Sequence, residues 1–418
     1  MATVKPFKGI RPEKNFEKIA CPPYDVLNTE EAREMAKGNP LSFLHIDKPE
    51  IDLPKGTDLY SPAVYAKAKE NLDKFLSKGI LKQDANPCFY LYAQTMADRT
   101  QYGLVAAVSA LEYDRGIIRK HELTRKEKEL DRSKHVNALN ATTGPVFLTY
   151  PDRQDLDEIV AGITTQIPVC SFMSDDGIRH TFWVIDDATD IKKIEKAFEQ
   201  IPVLYIADGH HRSAAAGNVA AMHRKKHPGA KQDASFNYFL AVIFPSSQLF
   251  IMDYNRLVKD LNGRTPEEFI QALKKDFFVQ ATGLSKPPKR HMFGMYFGGQ
   301  WYTLTAKPGS FNEEDPVSRL DVSILQRNVL QPLLNIGDPR TDKRIDFVGG
   351  IRGVAELEHR VNNGEFKAAF SMYPTSIEEL IKVADAKLIM PPKSTWFEPK
   401  LRSGLVIYQY DEKDLDKK

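Results

Sequence analysis

The apolar run Ile201-Pro-Val-Leu-Tyr-Ile-Ala207 meets Asp208-Gly-His-His-Arg212, and the alanine-rich Ser213-Ala-Ala-Ala-Gly-Asn-Val-Ala-Ala221 follows at once. A short run of β-formers reads as a strand and an alanine-rich stretch as a helix, so the chain must turn from strand to helix within a few polar residues. The flanking sequence repeats the alternation. Helices are expected over Asp155 to Ile167 and Lys192 to Gln200, with strands at His180 to Asp186, Tyr238 to Phe244 and Gln248 to Met252. The fold class expected is therefore α/β, or α+β with mixed sheets.

At 418 residues and 42% hydrophobic content the chain can bury more than one core. We divide it into an N-terminal α/β region (1–150), a region carrying the Asp-Gly-His-His-Arg turn (151–260) and a C-terminal α/β region (261–418). Residues 1–60 read as loop-rich. In Pro62 to Gly79, Val64, Ala68, Leu72, Phe75 and Leu76 share a helical face, and Gly79 marks its end. The β-rich runs Phe89 to Gln94 and Tyr102 to Leu111 flank the polar turn Met96 to Thr100, as in a hairpin. Residues 118–150 begin as a charged segment that reads as a solvated helix or loop. Thr265-Pro-Glu-Glu268 and Thr375-Ser-Ile-Glu378 each match a helix-starting capping box, and strands are expected at 292–298, 301–305, 367–372 and 404–409. Lys417 and Lys418 read as a frayed tail.

Lys+Arg 58 against Asp+Glu 56 leaves a net charge of +2, so no global field marks a nucleic-acid or membrane partner. No stretch approaches the roughly 20 apolar residues of a membrane span. Cys21, Cys88 and Cys170 match no metal or redox spacing and suit reduced thiols. A cytoplasmic protein is expected.

The strand-to-helix turn is the first candidate for chemistry. The opening N–H groups of a helix lack intrahelical partners and carry the positive end of its dipole, which suits phosphate. Gly209 permits close backbone approach, Arg212 can grip two oxygens, and His210, His211 and Ser213 can donate to them. Asp208 can orient an imidazole or bind a magnesium ion accompanying a polyphosphate.

A second cluster lies near the C-terminus. There Lys393, Ser394, Thr395, Lys400 and Arg402 bracket Trp396 and Phe397, a cationic loop suited to pyrophosphate. In "RKHELTRKEKELDR", Glu122 or His121 could accept a hydroxyl proton, while Thr124 and Arg132 could hold a substrate. In "CPPYDV", two prolines stiffen the approach to Tyr24 and to Asp25, a candidate general base or metal ligand. His45 and Asp47 in "HIDKPE" carry a weaker signal of the same kind.

"ADGHHR" at such a junction resembles the signature of the ParB and sulfiredoxin-like superfamily, one branch of which comprises free L-serine kinases. The whole chain is similar to a bacterial family catalogued as a domain of unknown function, through "PPYDV", "HELT", "ADGHHR" and "MPPKSTWFEPKLRSGL". The resemblance implies a ParB/sulfiredoxin-like phosphate-binding core with added N- and C-terminal elements. It also implies a pyrophosphate-dependent kinase making O-phospho-L-serine, with Asp208, Gly209, His210, His211 and Arg212 on the phosphoryl donor. Magnesium is the expected cofactor. The expected partners are L-serine and pyrophosphate, without nucleic acid or membrane. Open at this stage are the donor (pyrophosphate, ADP or ATP), the base (Asp25, Glu122 or His121, with His211 a further catalytic candidate), and monomer against homodimer. A phosphoserine phosphatase or a nucleotide-dependent ParB-like DNA-binding protein are the alternatives.

Overall fold

The computed structural model describes residues 1–415; Lys417 and Lys418 lie outside them. The chain forms two compact units, and the second is inserted in the sequence of the first. Residues 1–120, 124–249 and, as far as they are described, those from 399 to 415 make the first unit; residues 121–123 and 250–398 make the second. Both mix helices and sheet, as the alternating pattern predicts.

A nine-stranded sheet organises the first unit. In chain order its strands are β1 (Val4–Lys5), β2 (Phe89–Met96), β3 (Arg99–Ser109), β4 (Ile118–Arg119), β5 (Val146–Tyr150), β6 (Cys170–Met173), β7 (Arg179–Ile185), β8 (Leu204–Asp208) and β9 (Tyr238–Pro245). They lie in the order β4-β8-β5-β9-β3-β2-β7-β6, with β1 pairing β3. The segments divided at residue 150 thus interleave in one sheet and share one core. Pairing is mixed, since β8 runs parallel to β4 and antiparallel to β5. The hairpin is tighter than expected, with β2 and β3 meeting across Ala97 and Asp98.

Strand β2 is buried on both faces. Phe89, Leu91 and Ala93 join a core with Leu156, Ile194, Phe198 and Ala220, from three helices. Tyr90 and Tyr92 point the other way, where Tyr90 stacks on Phe182 at 5.5 Å. Burying such rings is worth about 1.5–3 kcal/mol each, which explains why the strand reads as an uninterrupted apolar run.

Three helices bear on the site. α1 (Pro62–Ser77) begins after Ser61 with proline at its first position and buries Val64, Ala68, Leu72 and Phe75, as its spacing predicts. α2 (Lys126–Leu139) comes from the charged segment; it buries Asp131, His135, Val136 and Leu139, so this stretch is more than a solvated face. α3 (His210–Lys226) starts three residues earlier than its alanines suggest. Three short helices also order parts of residues 1–60, read as loop-rich, and Phe43, Leu44 and Ile46 are buried there.

The last segment belongs to the first unit. Cys21 and Ser403 exchange two backbone hydrogen bonds, at 3.1 and 3.0 Å, and Ile10 and Ile407 do the same. Gly404 sits on Phe43 at φ +88°, where a Cβ would come within 2.8 Å of the Phe43 side chain. Only glycine fits both constraints. The strand expected over 404–409 is reduced to Tyr408–Gln409.

The second unit holds a six-stranded antiparallel sheet, with Tyr254–Val258 and Met292–Phe297 inside it. Its core gathers Leu257, Trp301, Val348, Leu357 and Phe366. The capping box at Thr265 forms as expected. The second box is shifted by one residue: Ser376 caps and Glu379 reciprocates, because the Thr375 hydroxyl is bonded to the Ser394 carbonyl. Likewise Ser246–Gln248 is a 3-10 turn, and the following strand starts at Phe250. Among the described residues, no helix is long and apolar enough to cross a membrane.

Candidate functional site

Strand β8 ends on an irregularity: its register against β5 shifts between Ile206 and Asp208. Such a bulge re-aims the next side chain. Gly209 follows at φ +94°, ψ +31°, in the left-handed region, and α3 begins. The first intrahelical amide bond is Ser213 N–H to the Gly209 carbonyl, at 2.9 Å. Helix geometry leaves the N–H groups of His210, His211 and Arg212 without an intrahelical acceptor. Glycine has no side chain to cap them. By contrast, Asn28, Asp187, Thr265 and Ser376 cap other helices of this chain with side-chain oxygens.

Asp208 Oδ1 accepts the Gly209 N–H at 2.7 Å and Oδ2 accepts from Lys400 Nζ at 2.9 Å. Burial alone would raise this carboxyl, but the Lys400 and Arg212 charges, with both hydrogen bonds, hold it well below the usual carboxylate range. Lys400 is itself placed by Gln94, a buried residue of β2, whose amide donates to the Lys400 carbonyl at 2.9 Å. Both Asp208 oxygens are thus engaged. A metal ion there would share them with an ammonium group and an amide.

Arg212 is nearly buried. Its guanidinium donates to the Pro145 carbonyl and lies 3.6 Å from Asp25, which is partly exposed in the turn Tyr24–Val26. Burial works against its charge, but Asp25 and Asp208 raise its pKa further, so it stays cationic. His211 Nε2 accepts the Arg125 N–H at 3.1 Å, so the neutral ring carries its proton on Nδ1. Burial pushes this ring down against the pull of Asp25, and Arg125 and Arg212 add to the effect; it is neutral at pH 7.

Arg132 on α2 stacks over the Tyr24 ring at 4.0 Å and holds Asp131 at 2.8 Å. A cavity of about 30 Å3 lies between Tyr24, Asp47, Arg132, Thr143, Gly144 and Arg212. His210 is buried in the first turn of α3.

Other expected residues serve the frame. The Ser213 hydroxyl turns back to the Gly209 carbonyl, bracing the turn and not facing a ligand. Thr124 bonds Glu129 at the start of α2. Arg402 is engaged with Asp176 and His180. His121, Glu122, Lys393, Ser394 and Thr395 belong to the second unit. There Lys393 sits at φ +62° with its ammonium over Tyr254, and the Ser394 hydroxyl bonds the Pro391 carbonyl. Sequence reasoning missed Gln94, Thr143 and Gly144, and only touched Asp47. No local pattern distinguishes them.

Residues 4–323 match the family described as "Protein of unknown function (DUF1015)". The chain belongs to this family. The DUF1015 match takes in Asp25, Arg132 and Asp208 to Arg212, and stops short of Lys400. No curated protein matches the chain. Among solved structures, this DUF1015 chain is similar to a free serine kinase in complex with AMP, at 14% identity and TM-score 0.37, covering 74% of this chain and 93% of that one. It is also similar to a conserved hypothetical protein from Pyrococcus furiosus, at 16% identity and TM-score 0.33, with coverages of 72% and 95%. A third is SbnI with a C-terminal truncation from Staphylococcus aureus, at 11% identity and TM-score 0.36, with coverages of 75% and 89%. Likenesses this distant say nothing of the site.

Proposed function

We propose that this chain is a phosphotransferase that moves a phosphoryl group from pyrophosphate to the hydroxyl of free L-serine, giving O-phospho-L-serine and orthophosphate. The observation that carries the reading is the uncapped start of α3, entered through left-handed Gly209 with Lys400 and Arg212 beside it. The positive helix end, entered without a side-chain cap, and two cations suit a polyphosphate, and phosphoryl transfer needs little more than placement and charge stabilisation.

In this reading the donor lies on the N–H groups of His210, His211 and Arg212. The Arg212 guanidinium and Lys400 ammonium offset its charge. Neutral His211, with its proton on Nδ1, can donate to a phosphoryl oxygen. Asp25 keeps Arg212 charged and oriented. Magnesium would arrive with pyrophosphate and neutralise it; Asp208 would hold the ion only by sharing oxygens with Lys400 and Gly209. The donor site as drawn uses the first unit alone. Serine as acceptor comes from the motif resemblance, and the site chemistry supplies the phosphate half.

The test is to incubate the full-length protein with magnesium and L-serine plus pyrophosphate, ADP or ATP in separate reactions, following O-phosphoserine by phosphorus NMR. Phosphoserine from pyrophosphate, lost in His211→Ala and Arg212→Ala, is expected. No phosphoserine from any donor would remove the reading, and phosphate released from O-phosphoserine by water alone would make the protein a phosphatase.

A further inference from the structure

Asp47 Oδ2, Ser403 Oγ and Arg212 Nε are buried and have no hydrogen-bond partner. They converge. A Cβ on Gly144 would stand 3.4 Å from Ser403 Oγ, 3.6 Å from Arg212 Cδ and 3.9 Å from Asp47 Oδ2. Gly144 leaves that methyl-sized space open, so Asp47 Oδ2 and Ser403 Oγ face a small gap with the aliphatic part of Arg212 beside it, and Asp47, Gly144 and Arg212 also line the cavity already described. The other Asp47 oxygen is fixed by the Thr143 hydroxyl at 2.6 Å, which leaves Oδ2 aimed and unspent.

The chemistry of the three atoms narrows what can fill the gap. A carboxylate oxygen only accepts, a guanidinium N–H only donates, and a hydroxyl does either. An ammonium group would satisfy Asp47 but meet the charge of Arg212, and a carboxylate or phosphate would satisfy Arg212 but meet Asp47. An aliphatic hydroxyl can donate to Asp47 and accept from Ser403 without placing a charge beside Arg212. Arg212 also connects the gap to the donor turn: its guanidinium carbon lies 3.4 Å from where a Gly209 Cβ would stand.

We propose that the acceptor hydroxyl sits at Gly144 and that Asp47 takes its proton, which makes Asp47 the catalytic base. This rests on the phosphotransferase reading. As the serine oxygen attacks phosphorus, one P–O bond forms and the bridging P–O bond of pyrophosphate breaks. The bridging oxygen leaves with its electron pair as orthophosphate, and the hydroxyl proton ends on Asp47.

The experiment compares full-length wild type, Asp47→Asn and Gly144→Ala, measuring pyrophosphate affinity by calorimetry and phosphoserine formation against serine concentration. Asp47→Asn keeps the shape; its kcat is expected to fall about 10²–10⁴-fold, the usual worth of a general base, with pyrophosphate affinity unchanged. Gly144→Ala fills the gap at ordinary contact distances and is expected to raise KM for serine roughly tenfold while leaving donor affinity unchanged. If Asp47→Asn unfolds, the Gly144→Ala result decides. An Asp47→Asn enzyme within about threefold of wild type, or an unaltered KM in Gly144→Ala, would mean that the gap holds only water and would overturn the assignment. A wild type inactive with every donor would remove the phosphotransferase reading and this inference together.

Discussion

Lys400 Nζ and Asp208 Oδ2 are 2.9 Å apart, across 192 residues of chain. The pair puts an ammonium group beside the start of α3 and keeps Asp208 ionised. Lys400→Met is expected to weaken pyrophosphate binding about tenfold, near 1.4 kcal/mol, readable by calorimetry. Asp208 has a depressed pKa in the folded chain, so its stabilising contribution is present above the ordinary carboxylate value of about 4 and is lost as pH falls below it. The stability gap between wild type and Lys400→Met should therefore be larger at pH 7 than at pH 3 in denaturant unfolding.

Gly209→Ala should destabilise the chain by about 1–2 kcal/mol, because an L-residue at φ +94° is strained. The added Cβ would also lie 3.4 Å from the Arg212 guanidinium. Pyrophosphate affinity should fall along with the melting temperature.

His180 lies between Tyr92 Oη, at 2.6 Å, and Ser174 Oγ, at 2.9 Å. Burial and the Arg402 charge push its pKa down to about 3. The folded chain thus refuses a proton that the unfolded chain takes up below about pH 6.5. Its stabilising contribution is complete above that pH and declines by about 1.4 kcal/mol per unit as pH falls, until the folded ring protonates as well. Wild type should lose roughly 2 kcal/mol more than His180→Gln between pH 7 and pH 5, by chemical denaturation at each pH. Equal losses would contradict a neutral buried ring.

Arg132→Lys keeps the charge but loses the flat stack on Tyr24 and the two contacts to Asp131. KM for serine should rise about tenfold while pyrophosphate affinity stays near wild type, since Arg132 lines the cavity and not the α3 turn. Saturation curves in each substrate separate the two effects.

Much of the first unit was legible because its signals are local. The apolar runs of β2 and β9, the face of α1 and the glycine between β8 and α3 each depend on a few neighbouring residues. Ser376 shows the limit. Thr375 and Ser376 both stand three residues before a glutamate, and what separates them is the bond from Thr375 to Ser394, which no local template contains. The same holds for Asp208 with Lys400, and for Asp47, Gly144, Arg212 and Ser403, which come together from four segments. Aspartate at the end of a one-turn helix carries no periodicity to read.

The interruption of the first unit by residues 250–398 sets an order of assembly. A ribosome releases β8, Gly209 and α3 long before Lys400 and Ser403 exist. Until the last segment is made, Asp208 lacks its ammonium partner and Gly404 has not yet settled on Phe43. A message cut short before codon 399 would thus encode every residue of the glycine turn and still yield a protein unable to balance its charge.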